Sequence, residues 1–249
     1  MDNVMDYVEF IKAPWGKMFY DLLFLQLNIP QFPRLKILDF GSGLGVTSNH
    51  FAQWHEITAV EPNNEMIDNS RKVNQYIQIH GGFEKLAEFK DNTFDIVFCH
   101  NVLEYIEDKE PIFAELIRVL KPNGTLSLVK HNRAGRVFHS AVFENDPQKA
   151  FALVDDDRND KSNYLGTQYI YSNDDVTQWA CKHDGKIQKV LGMRAFWGLG
   201  QDNWVKHTDD WYNTMLMLEN KVAEMDDYRH AAFFNHLLIE KTPISHRLR

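Results

Sequence analysis

Cysteine is scarce: the 249 residues contain two, Cys99 and Cys181, and they stand alone. Such a pair supplies neither a disulfide framework nor a zinc pattern, so a reducing, cytoplasmic setting is expected. No apolar run approaches the roughly 20 residues needed to cross a bilayer. The opening segment MDNVMDYVEF is acidic where a secretory signal is basic, and a protein that is neither exported nor membrane-bound is expected. Hydrolase and metal signatures are missing as well. No G-x-S-x-G elbow occurs, no cysteine stands in an activating setting, and the eleven histidines form no H-x-x-x-H pair, so no metal site is expected.

Acidic residues are also missing between Leu116 and Phe143, in a chain whose formal net charge is -8. Arg118, Lys121, Lys130, Arg133 and Arg136 fall there, with His131 and His139. The overall acidity argues against indiscriminate nucleic-acid binding, while the basic stretch is expected to face an anion. Downstream, Asp155, Asp156, Asp157 and Asp160 read as a solvated loop.

Against these absences stands the run LDFGSGLG at 38–45, followed by VEP at 60–62. Leu35–Phe40 reads as a buried strand, after which the chain must turn sharply and bring bare backbone up to a ligand. Gly41, Gly43 and Gly45 permit this because they lack a Cβ. Glu61 comes twenty residues after Gly41, at the end of a second strand, where a carboxylate accepts both hydroxyl protons of a ribose. A dinucleotide fingerprint requires G-x-G-x-x-G, and Val46 breaks it. Asp39, just before the glycines, would repel a pyrophosphate but suits a cation. S-adenosylmethionine carries a sulfonium and an ammonium and no phosphate, and is the expected cofactor.

Strand and helix signals alternate through the first 130 residues. Leu35–Phe40, Glu56–Glu61, Ile77–His80, Phe94–His100 and Thr125–Lys130 read as strands. Ile112, Phe113, Leu116, Ile117 and Leu120 recur at helical spacing behind Pro111, with KPNG at 121–124 expected to stop that helix. The alternation predicts parallel β-α-β units with ligands at the carboxyl ends of the strands. Ser172 is placed to cap a helix running to about His183, and Lys186–Val190 and Ala231–Glu240 read as the strands that finish the sheet. Arg133–Tyr171 reads as irregular and Thr208–Met225 as helical, both suited to covering a substrate.

Several further residues are candidates by position. Gly82, Phe83 and Glu84 follow the third strand, where Phe83 can stack on a base and Glu84 can read its edge. His100 ends the fourth strand beside the expected cofactor. Lys130, His131, Asn132 and Arg133 end the fifth and can anchor a substrate carboxylate or phosphate, with arginine offering a bidentate fork. MRAFWGLGQDN at 193–203 contributes Arg194 and Trp197 and is too irregular for a framework element. Trp15, Phe19, Tyr20, Trp197 and Trp204 are candidates to wall a pocket for a flat ring.

LDFGSGLG, VEP, Gly82-Phe83-Glu84, CHNVLEYIED at 99–108 and LKPNG at 120–124 resemble, in order and spacing, the motifs of class I S-adenosylmethionine-dependent methyltransferases. The resemblance covers residues 35–130. It implies a Rossmann-like, doubly wound α/β sheet of seven strands, mostly parallel with one antiparallel strand, carrying a small cap. One methyltransferase domain would then span 1–249, with 1–34 as an amino-terminal helical lid and 133–171 and 193–228 as substrate-cap insertions. Gly41 and Ser42 would contact the cofactor with Asp39, Gly43, Gly45 and Pro62 around them; Glu61 would hold the ribose, Phe83 and Glu84 would flank adenine, and His100 would line the site.

HNVLEYIED, VLKPNGTLSLV with His131-Asn132, and GMRAF at 192–196 are similar to the bacterial tRNA 5-carboxymethoxyuridine methyltransferase family, which esterifies the carboxylate of a modified wobble uridine. In this chain Glu61 replaces an aspartate, Phe19 falls where an arginine contacts the cofactor carboxylate, and His131 replaces a tyrosine. The acceptors left open are such a tRNA and an unspecified small molecule, a small carboxylate-bearing molecule among the options; a non-catalytic cofactor-binding module is the third alternative. A carboxylate acceptor is ionised at neutral pH and requires no general base.

Overall fold

The computed structural model describes residues 4–70, 72–155, 160–162 and 166–243. Its strands are β1 (Lys36–Phe40), β2 (Glu56–Glu61), β3 (Ile77–His80), β4 (Phe94–His100), β5 (Leu120–His131), β6 (Asp160–Ser162), β7 (Gly166–Gln168), β8 (Gly185–Met193) and β9 (Phe234–Lys241). Seven of them form one mixed, mostly parallel sheet in the order β3-β2-β1-β4-β5-β9-β8. β1 runs parallel to both β2 and β4, with Asp39 level with Ala59 on one side and Phe98 on the other. The chain therefore winds outward in both directions from β1, and the switch point between β1 and β4 opens a crevice at their carboxyl ends.

Two compact units make up the described chain. One comprises 30–128, 171–189 and 237–243. In it Ile37, Leu38, Ala59, Val60, Val97 and Phe98 are shut away from solvent, as near-continuous apolar strands covered on both faces require. The helix Lys109–Val119 adds Ile112, Phe113, Leu116 and Ile117 to this core. Pro111 sits inside its first turn, where a missing N–H leaves no hydrogen bond unmade.

LKPNG behaves differently from expectation. The helix ends at Val119 and β5 already begins at Leu120, so the tetrapeptide KPNG lies within the strand. Asn123 takes a left-handed φ of 64°. A Cβ on Gly124 would crowd the carbonyls of Lys121 and Asp95 at 2.8 and 2.9 Å. Local turn chemistry is thus absorbed as a kink in a long strand whose pairing decides its limits.

The other unit comprises 4–29, 129–170 and 190–236. Helices Val4–Lys12, Pro14–Leu27 and Asp209–Val222 belong to it. Leu22, Leu23, Val129, Met193 and Phe234 form one buried cluster there, with Phe19 packed against it. Gln26 donates to Gly192 O and accepts from the His236 ring, both at 2.9 Å. Burial lowers the His236 pKa to about 3, so it serves as a neutral donor.

The segment expected to be irregular is largely helical: Arg133–Phe138, a wide turn at His139–Phe143, and Pro147–Asp155, followed by the antiparallel pair β6 and β7. Each piece is too short to show a helical period in sequence. Of the acidic run, Asp155 closes the last helix and Asp160 opens β6, while Asp156 and Asp157 lie outside the described residues. Among the described residues no helix is long and apolar enough to cross a membrane.

Ser172 caps the helix Asn173–Lys182 through a reciprocal pair: its Oγ accepts from Asp175 N at 3.0 Å, and Asp175 Oδ2 accepts from Ser172 N at 2.7 Å. Ser172→Ala should therefore lower unfolding free energy by about 1 kcal/mol, measured by urea denaturation.

Candidate active site

The glycine turn is tied to the end of β2. Gly41 N and Ser42 N both donate to Val60 O, at 2.8 and 3.0 Å. Glu61 completes the tie, with Oε2 accepting from Gly43 N at 2.7 Å and Oε1 from Asn63 N at 2.9 Å. Each carboxylate oxygen keeps a second lone pair, which is what two ribose hydroxyls require. Burial raises the Glu61 pKa, and the two amides pull it back.

Gly43 marks the open side of the turn. Its φ is +53°, and a Cβ built there meets nothing within 4 Å, so a ligand can approach the bare backbone. At Gly41, φ +75°, the Val102 side chain already occupies the room a Cβ would need. Asp39 lies beneath the turn, 3% exposed, accepting from Ser48 Oγ at 2.6 Å. Burial, opposed by Ser48 and reinforced by Glu61, pushes its carboxyl up to about 6.

Around this turn the same unit holds the remaining expected cofactor residues. Pro62 O accepts from the His80 ring at 3.0 Å. Glu84 folds back to accept from Gly82 N at 2.8 Å, leaving the Phe83 ring 59% exposed as a free stacking face. At the end of β4 the His100 ring lies 2.8 Å from Ser127 Oγ and stacks on Phe98. Asn101 follows with a left-handed φ of 54° and a buried Oδ1 that has no partner among the described residues. Asn101 lies within CHNVLEYIED but carried no role there; its backbone conformation and orphaned oxygen single it out.

These residues form a methyltransferase domain, which matches the chain over 38–128. The chain is an S-adenosylmethionine-dependent methyltransferase. It is 25% identical over 217 residues to tRNA 5-carboxymethoxyuridine methyltransferase of Escherichia coli K12, covering 84% of this chain and 80% of that protein. It is also 25% identical to a ubiquinone biosynthesis O-methyltransferase of Rickettsia bellii, over 71% of each. The fold is shared with an S-adenosylmethionine-dependent methyltransferase structure from Listeria monocytogenes, TM-score 0.62 at 14% identity, covering 92% of this chain and 98% of that one. A possible histamine N-methyltransferase from Thermotoga maritima also gives 0.62, at 16% identity over 96% of each chain. The donor set fits the cofactor: an open glycine at the turn, spare carboxylate lone pairs for a ribose, and a second carboxylate suited to a cation.

The other unit of the methyltransferase holds the residues expected to meet the acceptor, and they divide sharply. Asn132 spends its amide on His230 O and Ala232 O, both at 2.8 Å, as a backbone brace. Trp197 is 1% exposed and packs with Met18 and Tyr212, so the expected ligand contact is corrected to a core role. Trp15 packs against that cluster, and Phe19 meets Phe234 edge-on at 5.3 Å, an apolar role. Tyr20 lies edge-on to Phe19, whereas Trp204 is 81% exposed. His131 packs against Phe233 and Phe234, and Arg133 is half-buried at the start of its helix.

Arg194 differs from all of these. It takes φ +62°, its guanidinium lies 5.2 and 5.6 Å from the Phe233 and Phe234 ring centres, and its buried Nε has no partner among the described residues. Desolvation lowers its pKa to about 10, against the pull of Glu219. Glu219 in turn accepts from the backbone N–H groups of Ala195, Phe196 and Trp197 at 2.7, 2.9 and 2.7 Å. Three successive amides on one carboxylate hold the loop that carries Arg194.

The expectation of a basic face along 116–143 is corrected. Arg118 pairs with Glu115 and bonds the carbonyls of Leu86 and Phe89, and Lys121 pairs with Asp95 at 2.7 Å. Lys130 and Arg136 are buried, at 2% and 7% exposure. The charges are adjacent in sequence but are used separately, within the protein.

Two outcomes follow for cofactor binding. Glu61→Ala removes the ribose acceptor and the brace on Gly43, so affinity for S-adenosylmethionine should fall roughly 10–100-fold by titration calorimetry. Asp39 is protonated below its folded pKa of about 6, which is raised from 3.8. Its ionisation adds a negative charge near a cationic ligand, so affinity should rise between about pH 5 and 7, and Asp39→Asn should flatten that rise. Stability moves oppositely: the raised folded pKa makes Asp39's contribution fall as pH climbs from about 4 to 6, then level off.

Proposed function

We propose that this methyltransferase esterifies a carboxylate, and that the carboxylate is carried by a modified wobble uridine of tRNA. Arg194 carries the reading. A guanidinium braced against two phenyl rings, with a buried N–H unspent, presents a rigid planar fork matched to a carboxylate. The likeness to the E. coli tRNA enzyme over 84% of this chain supports the uridine.

Bound S-adenosylmethionine would supply a methyl carbon activated by its sulfonium. The chain's own part is to hold the acceptor and exclude water. Arg194 fixes the carboxylate through one oxygen pair, and Glu219 keeps the Arg194 loop from relaxing. Since the nucleophile is already ionised, no proton need be moved, and positioning can supply on the order of 7–11 kcal/mol. His100, hydrogen-bonded to Ser127, has no proton to move in this scheme.

A small carboxylate-bearing acceptor is the second reading, favoured by the internal use of the 116–143 cations and the net charge of -8. Incubation with methyl-labelled cofactor and a cell extract separates the two. Alkali-labile label in tRNA supports the first and alkali-labile label in a metabolite the second, while alkali-stable label would overturn the carboxylate in both. Arg194→Lys keeps the charge and loses the fork. Its kcat/KM for the acceptor should drop roughly 10–100-fold, with cofactor affinity unchanged.

A further inference from the structure

The wide turn His139–Phe143 and the loop after Arg194 are fastened to each other at two points. The His139 ring nitrogen Nδ1 lies 3.0 Å from Gly198 O, and Gln201 Nε2 donates to Val142 O. A carbonyl only accepts, so Nδ1 carries the proton. The other ring nitrogen, Nε2, is 3.9 Å from Glu144 Oε1, too far for a hydrogen bond. Burial pushes the His139 pKa down, with Arg194 and Lys149 adding to it and Gly198 O and Glu144 opposing it, so the neutral ring predominates at neutral pH.

His139 touches both surfaces that shape Arg194. A Cβ at Gly198 would lie 3.5 Å from His139 Nδ1 and 3.8 Å from Arg194 Nη2, which puts this one glycine against imidazole and guanidinium alike. The Phe233 ring meets both as well, edge-on to His139 at 5.1 Å and 5.2 Å from the guanidinium. Glu219 fixes the loop through the amides of Ala195, Phe196 and Trp197, and the carbonyl of the next residue, a conformationally free glycine, is fastened by His139. Phe143, stacked on the imidazole at 4.8 Å, keeps that ring from turning away.

We propose that His139 is a positioning residue for methyl transfer: by donating its Nδ1–H to the Gly198 carbonyl it sets where the Arg194 guanidinium stands, and so the hold on the acceptor's carboxylate. This rests on the reading of Arg194 as the carboxylate's anchor. The imidazole itself neither touches the acceptor nor takes a proton from it. Because Nδ1 keeps its hydrogen in the neutral and the protonated ring, the effect is the same on either side of the ring's pKa.

The test follows methylation of tRNA carrying 5-carboxymethoxyuridine by the whole chain. His139→Phe keeps a ring against Phe143 and loses the N–H, whereas His139→Asn offers an amide N–H at the same reach. His139→Phe should raise KM for this tRNA about 3–10-fold, the worth of one hydrogen bond, with kcat nearly unchanged and an equal effect at about pH 6 and pH 8. His139→Asn should restore most of that loss. In an Arg194→Lys background His139→Phe should add less than about twofold, since it acts through a fork already removed. An unchanged KM, a loss confined to kcat, failure of His139→Asn to rescue, full additivity with Arg194→Lys, or a parallel loss of S-adenosylhomocysteine affinity in calorimetry overturns the proposal. If Arg194→Lys itself leaves KM unchanged, or the wild type leaves this tRNA unlabelled, the reading of Arg194 falls and the proposal falls with it.

Discussion

The Glu61 carboxylate is the joint on which the glycine turn and the end of β2 depend. One oxygen holds Gly43 N and the other Asn63 N, so the end of β2 is fastened to the turn after β1 and to the start of its own helix. Two neighbouring strands thereby present their carboxyl ends as one rigid surface. The carboxylate is held by N–H donors alone, which leaves its other lone pairs for a ligand's hydroxyl groups. Position and chemistry come from the same two hydrogen bonds.

A corresponding arrangement occurs in the second unit. Glu219 gathers three successive amides and fixes the residues after Arg194, as Glu61 fixes the turn after β1. A loop that carries a half-buried guanidinium needs such a brace, because desolvation and left-handed backbone both oppose it. In each unit an internal carboxylate satisfies backbone amides. The acidic character of the chain is thus partly architectural.

Much of the fold was legible in the sequence because its signals are local. β2, β3 and β4 begin and end where apolar runs do, and the Ser172 cap lies where Ser-Asn-Asp-Asp placed it. The limits failed where long-range pairing overrode local chemistry, as at KPNG, or where elements were too short to show a period, as at 133–155. Trp197 and Asn132 show a related limit. Their residue types serve ligands and cores equally well, and only neighbours such as Met18, Tyr212 and the carbonyls of His230 and Ala232 decide between them.

The sequence by itself determined the cofactor, S-adenosylmethionine, since glycine spacing, Asp39 and Glu61 express their chemistry through backbone freedom and charge within a short stretch. Tertiary structure decided the rest. It buried or paired the basic residues that looked like a surface, placed Phe19 in an apolar cluster, and left Arg194 Nε without a partner among the described residues. Which polar groups are satisfied depends on residues distant in the chain.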